Sequence, residues 1–496
     1  MTAFIIYLLL FCALILSKRS GNIFTDNRIT KPQFTIYFLL KALAVPVFYM
    51  VYTRIYGGIS EFDTGKFYHD AKIINEYGRS HSLFYLRLLL GLQDDSEGSP
   101  DYLNCLVYTQ NWDNGAVKDF LYNDNRLVIR LHSLLHFIAF NSWFAHALFS
   151  CFFSFLGITF LYRAFKDQFP EKEHLLLAVM CFLPALWFYT GALLKEGVTM
   201  LLLGSAALQI RLLTGKISTG GMLRMCVIVF ISLFLKPYIL LSGASCFACY
   251  FVLQKTRLRY QPAIFFCTMV AGIVLVNALA GMLAGRSLVS AVTMHQQRFA
   301  DASKGGLFLL DKKKFVRLNH DTTLLKKVTA ATDSFTIKKN VPYTYWLLSA
   351  THDTLRSPGN TDTVTRYKLL YQIAESKSNI NPVLYGHGVT SMVLTGLYYA
   401  LLHPFFINAG TGLRLHASVE NLLIAISLMI IVTGFVISKK QRLLPAVFIF
   451  FALCVCLLAG IATPNSGAIF RYRAPAVIFI LAAALYYLPW RTGKRG

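Results

Sequence analysis

The sequence predicts an all-α polytopic membrane protein with about eleven transmembrane helices, two of them short and hairpin-like, and two elaborated extracytoplasmic regions. Three observations predict it. The chain of 496 residues is 55% apolar and only 15% charged. It contains many apolar runs of about seventeen residues or more, the length a helix needs to cross a bilayer. Its short connections alternate between basic and non-basic, as loops on the two sides of a membrane do.

Taken in order, the first segment, 2–17, lacks the positive start and small-residue cleavage site of a secretory signal and reads as a retained helix. Further spans are expected at 33–53, 143–162, 174–192, 198–213, 225–235, 239–253, 262–284, 419–438, 443–462 and 474–490. Alternate connections then carry Lys18, Arg19, Arg28 and Lys31; Arg163, Lys166 and Lys172; Arg211, Lys216 and Arg224; Lys255, Arg257 and Arg259; Lys439, Lys440 and Arg442; and the tail residues Arg491, Lys494 and Arg495. Cytoplasmic loops collect Lys and Arg, so the expected N-terminus is outside and the C-terminus inside. The long connection 285–418 is also lysine-rich, but long loops translocate largely regardless of charge.

No internal repeat and no Gly/Ser- or Pro-rich linker divides the chain, so 1–496 reads as one membrane domain. Its first outer region, 54–142, opens with "EFDTGKFYHDA" and closes with "NRLVIRLHSLLHFIAF", where apolar residues at helical spacing are interleaved with Arg126, Arg130, His132 and His136. That pattern suits an interfacial helix. The second, 285–418, mixes short amphipathic stretches with turn signals at "SPGNTD" and "NINP".

Composition also excludes classes. The net charge of +24 would fit nucleic acid only with a soluble basic domain, which is missing; membrane loops and an anionic membrane-embedded ligand account for it better. Nearly all ten cysteines lie in apolar runs, Cys105 being the exception, so neither a disulfide framework nor a structural metal is expected. Cys246 and Cys249 have C-x-x-C spacing within a span and read as packing residues.

Polar residues stand where apolar ones are expected. "FYTGALLKEG" places Lys195 and Glu196 side by side within a long apolar stretch. A charge at the centre of a membrane helix costs roughly 2.5–3.5 kcal/mol, which argues for a turn, a partner or a function. With the topology above, the pair falls at an outer turn. Asp63 and Asp70 lie on the same side, as do Lys236-Pro237-Tyr238, His403, Arg414 and Glu420, and Arg471 and Arg473 in "GAIFRYRAPAV". Lys236 and Pro237 interrupt "VIVFISLFLKPYILLSG", and short helices at membrane depth are tolerated where protein or a water-filled cavity satisfies their backbone. Paired guanidiniums are suited to phosphate or diphosphate oxygens, although headgroup snorkelling produces the same pattern. Asp70 and the run Lys312–Lys314 read more simply as solvated charges.

A carboxylate, fixed cations and an outward-facing cavity fit transfer of a group from a lipid phosphate donor. The carboxylate accepts the proton of an attacking sugar hydroxyl while Lys and Arg stabilise the departing phosphate. One carboxylate suffices, unlike the pair of a glycosidase.

"EFDTGKFYHDAKII" resembles the acidic first outer loop of GT-C-type membrane glycosyltransferases. "ALWFYTGALLKEG", "FLKPYILL", "HPFFINAG...HASVENLL" and "FRYRAPAVIFIL" resemble stretches of bacterial polytopic proteins of envelope polysaccharide assembly, including Wzy-like oligosaccharide-repeat polymerases. The resemblance implies a GT-C-like fold in the bacterial cytoplasmic membrane. It implies a polyprenyl-(di)phosphate-linked sugar donor, a saccharide or lipid acceptor, contact with membrane lipids, and no nucleic-acid partner. Asp63 matches the catalytic base, with Asp70 as fallback. Arg471 and Arg473 match the basic turn that holds lipid phosphate, with Lys195, Glu196, Lys236, Tyr238, His403, Arg414 and Glu420 around the same cavity. The sequence lacks a clear Asp-Glu or Glu-x-Asp pair there and a large soluble C-terminal domain, which argues against protein glycosylation. No cofactor is assigned, and a divalent Mg or Mn ion is left open. The rival reading is a transporter or flippase of lipid-linked saccharides, which commonly carries repeats absent here; a structural subunit would leave the charged turns unexplained.

Overall fold

The computed structural model describes residues 2–60, 62–93, 99–112, 124–256, 258–284, 292, 296, 305–311, 314–318, 324–328, 334–347, 357–360, 365–373, 388–404, 413–438, 441–463 and 465–489. The N-terminal part holds α1 (Thr2–Leu16), α2 (Lys31–Ala42), α3 (Ala44–Tyr56), α4 (Asp63–Ser80), α5 (Ser82–Leu90), α6 (Pro100–Asn104) and α7 (Asn125–Leu135). There follow α8 (Trp143–Phe165), α9 (Glu173–Phe182), α10 (Pro184–Tyr189), α11 (Lys195–Gly215), α12 (Thr219–Leu233), α13 (Pro237–Gln254) and α14 (Gln261–Ala284). The last four helices are α15 (Val389–Leu401), α16 (Leu413–Ile437), α17 (Leu443–Ala462) and α18 (Ser466–Tyr487).

Among the described residues, eight helical stretches are long and apolar enough to cross a membrane. The chain is an integral membrane protein. All eleven expected segments contain helix, but α1, α9 and α12 are shorter apolar helices. The expected span 174–192 is divided between α9 and α10 at Leu183-Pro184, because proline disfavours helical backbone in the residue before it and suits the first helical turn.

Close approach of backbones locks the centre. A Cβ on Gly157 of α8 would overlap the Met200 carbonyl of α11, one on Gly204 would overlap the Gly157 carbonyl, and one on Gly197 would press on Ser150. Small residues two turns apart therefore let α8 and α11 pack backbone to backbone, the usual route to tight helix association in lipid. Gly460 of α17 meets Gly396 of α15 in the same way. Aromatic rings fill the wider gaps, as where Phe11 stacks on Phe152 at 4.2 Å between ring centroids.

Several of the basic connections meet at one end of the bundle. Lys31 donates to the Ser17 carbonyl at 2.6 Å, Arg163 to the Asn22 carbonyl, and Arg211 to the Arg163 carbonyl. Lys172 donates to Leu485 and Leu488 carbonyls at 2.8 and 2.6 Å, and Gln441 to Gln261 at 3.0 Å. Arg257, Lys439, Lys440, Arg491, Lys494 and Arg495 lie outside the described residues.

The chain is mainly helical, as expected, but described segments between 306 and 373 add a seven-stranded antiparallel sheet that the all-α reading did not include. Its strands are β1 (Gly306–Asp311), β2 (Lys314–Leu318), β3 (Leu325–Lys327), β4 (Ser334–Ile337), β5 (Pro342–Leu347), β6 (Ser357–Asn360) and β7 (Tyr367–Ile373), in the order β3-β4-β7-β1-β2-β5-β6. Leu307, Leu309, Val316 and Leu318 are buried at alternate positions, the period-two pattern of strands. The turn signal "SPGN" is instead strand β6, and its proline is tolerated because β6 lies at a sheet edge. Lys314 begins β2, while Lys312, Lys313 and "NINP" lie outside the described residues. Helix α15 lies within 285–418 and packs on α17. In 54–142, the expected interfacial helix is α7; its Val128, Ile129, His132 and Ser133 are buried, and the Ser133 carbonyl accepts from Asn75 of α4 at 2.9 Å.

Candidate functional site

The turn between α10 and α11 fixes the site. A Cβ on Gly191 would overlap the Ala44 backbone of α3, and the buried ammonium of Lys41 donates to Thr190 Oγ1 at 2.8 Å. With the turn held on one side and α11 locked to α8 on the other, Lys195 and Glu196 begin α11 in a fixed orientation. A carboxylate is favoured there by the helix dipole.

Glu196 is 0% exposed. Its Oε1 accepts from Lys236 Nζ at 2.8 Å and from Arg471 Nε at 3.0 Å. Arg471 also donates through Nη1 to Asp63 Oδ2 at 2.7 Å, so one guanidinium bridges carboxylates from α4 and α11. Burying these charges is costly, and the contact of each cation with an anion offsets part of that cost. Lys236 lies immediately before Pro237 at the start of α13, with its ammonium 4.6 Å from the centre of the Tyr472 ring. Lys195 pairs separately with Asp124 Oδ1 at 2.5 Å. Glu196 Oε2 is buried with no hydrogen-bond partner among the described residues.

Asp63 is the carboxylate that reaches solvent, its side chain being 44% exposed. It borders a recess of about 190 Å³ lined by Phe48, Tyr52, Phe62, Thr64, Leu194 and Arg471. Desolvation raises the Asp63 pKa, but the neighbouring Arg471 and Lys195 cations outweigh it and hold the carboxyl below its ordinary range. Asp63 is therefore a stable anion while Arg471 is attached, and a stronger base once that cation is drawn elsewhere.

Six expected site residues thus lie together or next to one another: Asp63, Glu196, Lys236 and Arg471 in one hydrogen-bonded chain, Lys195 beside it, and Tyr238 in the first turn of α13. Arg414, exposed at the start of α16, acts electrostatically on Tyr56, whose ring packs on Phe62 of the recess. His403 packs on the rings of Tyr398 and Tyr399; burial and the Arg414 charge hold its pKa below the usual histidine value.

Three expected residues serve elsewhere. Arg473 stands two positions beyond Arg471, on the opposite side of α18 by helical geometry. It is 0% exposed and donates to Glu420 Oε1 at 2.9 Å, Asn421 Oδ1 at 2.7 Å and the Ala400 carbonyl. Glu420 Oε2 in turn accepts from the Ala185 N–H at 2.7 Å. Arg473 and Glu420 therefore clamp α10, α15, α16 and α18 and do not line the recess. Asp70 accepts from the N–H groups of Gln110, Asn111 and Trp112 at 2.8, 2.7 and 2.9 Å. It pins that loop and is not placed as the fallback base.

No protein-family model, curated protein or solved structure matches the chain. The reading of the site rests on its own chemistry.

Sequence reasoning missed Asp124, Tyr472 and the aromatic wall of the recess. Tyr472 was visible between the two arginines of "FRYR"; Asp124, in "YNDNR", carried no pattern tying it to Lys195 across 71 positions. Among the described residues, no group of three His, Cys, Asp or Glu side chains is placed to hold a metal ion.

Proposed function

We propose that this protein is a membrane glycosyltransferase or oligosaccharide-repeat polymerase that uses a polyprenyl-(di)phosphate-linked sugar on the outer face of the membrane. In this reading the chain crosses eleven times, with its N-terminus outside and its C-terminus in the cytoplasm. The observation that carries the proposal is the Arg471 bridge, where a half-buried guanidinium shares itself between Glu196 and the solvent-reaching Asp63 beside an aromatic recess.

In this reading, an exchange of partners on Arg471 starts the reaction. The anionic donor phosphate competes with Asp63 for the outward Nη1 group of Arg471, while Glu196 keeps hold of Nε. Release from Arg471 raises the basicity of Asp63, which accepts the proton of the acceptor hydroxyl. The acceptor oxygen forms a bond to the anomeric carbon as the bond from that carbon to the phosphate oxygen breaks. The lipid (di)phosphate departs with the electron pair, stabilised by Arg471 and the nearby Lys236 charge. Rings of Phe48, Tyr52 and Phe62 offer faces for the sugar or the first isoprene units. The exchange of partners on Arg471 reconciles a depressed Asp63 pKa with a role as base.

The test is transfer by purified protein given a lipid-linked sugar and an acceptor. The reading expects a new glycosidic product from wild type and none from Asp63→Asn. Movement of lipid-linked sugar across a vesicle membrane with no new bond would instead establish the transporter.

A further inference from the structure

At the opposite end of the bundle lies a larger groove of about 750 Å³, between the connection that follows α13 and the connection from α16 to α17. The 25 residues of α16 rise about 37 Å at 1.5 Å per residue, so its ends approach opposite membrane faces. Arg414 stands at the end near the recess; Phe435 and Ser438 line the groove at the other.

Its chemistry divides in two. Arg259 and Arg442 supply guanidiniums at the rim, both exposed and neither with an ion-pair partner among the described residues. Tyr260 lies beside Arg259, whose guanidinium is 5.5 Å from the ring centre. The floor is preorganised: Gln261 donates to the Leu253 and Thr256 carbonyls at 2.8 and 2.9 Å and accepts from Gln441 at 3.0 Å, tying the two connections together.

Below this polar rim the walls continue as bare hydrocarbon. Only 6% of the apolar window of α14 is buried, with Val270, Ile273 and Val274 exposed, and α16 exposes Met429, Val432 and Val436. A free phosphate would use the arginines and leave these faces idle, whereas a phospholipid matches both.

We propose that the groove is a binding site for an anionic phospholipid, its phosphodiester held between Arg259 and Arg442 and its acyl chains lying along α14 and α16. Basic pockets between helix ends bind such headgroups because forked guanidiniums pair with phosphate oxygens. The site is independent of the Arg471 cluster and does not depend on its function.

Full-length protein in detergent is titrated with phosphatidylglycerol while its thermal unfolding is followed. Wild type should be stabilised saturably, as expected for a ligand that binds only the folded state. Inorganic phosphate at the same concentrations should give no shift, because it lacks the chains. Arg259→Gln/Arg442→Gln should retain the lipid-free melting temperature and bind phosphatidylglycerol on the order of tenfold more weakly or worse. Lys216→Gln/Arg224→Gln, which removes two positive charges from another connection, should respond like wild type. An equal response in the Arg259/Arg442 variant would overturn the site, as would an equal shift with inorganic phosphate or an equal loss in the Lys216/Arg224 control. Absence of any wild-type shift would do the same. Should the arginine variant fail to fold, Arg259→Lys/Arg442→Lys tests the same point: it keeps the charge and loses only the forked geometry, so wild-type lipid-free melting with weakened binding supports the site, and undiminished binding overturns it.

Discussion

Arg471 and Arg473 differ by two positions and have opposite duties. Arg471 holds a carboxylate that solvent can reach, while Arg473 is sealed among Glu420, Asn421 and the Ala400 carbonyl. Arg473→Ala leaves the buried Glu420 carboxylate without its cation, so it should cost about 3–5 kcal/mol of stability, read as reduced folded yield and a lower melting temperature. Arg471→Ala should instead lower transfer by about a hundredfold or more while the protein still inserts, measured as product formed per folded protein. Asp63 offers a pH test. Its folded pKa is depressed, so its contribution to stability is present above the ordinary carboxylate range and is lost as pH falls through the folded value. The melting-temperature gap between wild type and Asp63→Asn should therefore be largest near neutral pH and close in acid; a gap that widens in acid would contradict the ion pair. Sequence put Asp63, Glu196, Lys236 and Arg471 on one side through the topology inferred from loop charge. It did not separate Arg473 from Arg471, because "FRYR" does not show which neighbours each side chain meets.

Among the elements, α11 matters most to the site, because its first turn carries Lys195 and Glu196 and its stripe of small residues meets α8. Gly204→Leu should push the two helices apart and displace Glu196 from Lys236 and Arg471. Loss of both folded yield and transfer is the expected outcome, checked by size-exclusion profile and activity. The sheet shows why some elements were hidden. Strands β1 and β2 pair locally, but they are short, β1 reads as a continuous apolar run, and its other partner β7 lies more than 50 positions away, so that pairing is invisible locally. Helix α10 was hidden differently, within an apolar stretch that read as one span until Pro184 interrupted it. Hydropathy registers length and apolarity; it does not register breaks that tertiary packing satisfies.

For the whole molecule, the structure has two chemically different ends. Basic connections meet at one end through Lys31, Arg163, Lys172 and Arg211, while the recess lies where Asp63, Glu196, Lys236 and Arg471 converge. The topology reading puts these ends on opposite sides of the membrane. Cysteines introduced in a background without the native ones at Ser60 and Lys216 should react with a membrane-impermeant reagent from outside and inside respectively; labelling of both from one side would refute the arrangement. The central claim is that the recess forms a glycosidic bond. Its most direct measurement is product analysis after purified wild-type protein is incubated with lipid-linked sugar and acceptor, in parallel with Asp63→Asn and Arg471→Ala. The account predicts a new glycosidic product from wild type and nearly none from either variant. Wild-type yields from Asp63→Asn, or no bond formed by any protein while lipid-linked sugar crosses vesicle membranes, would contradict it.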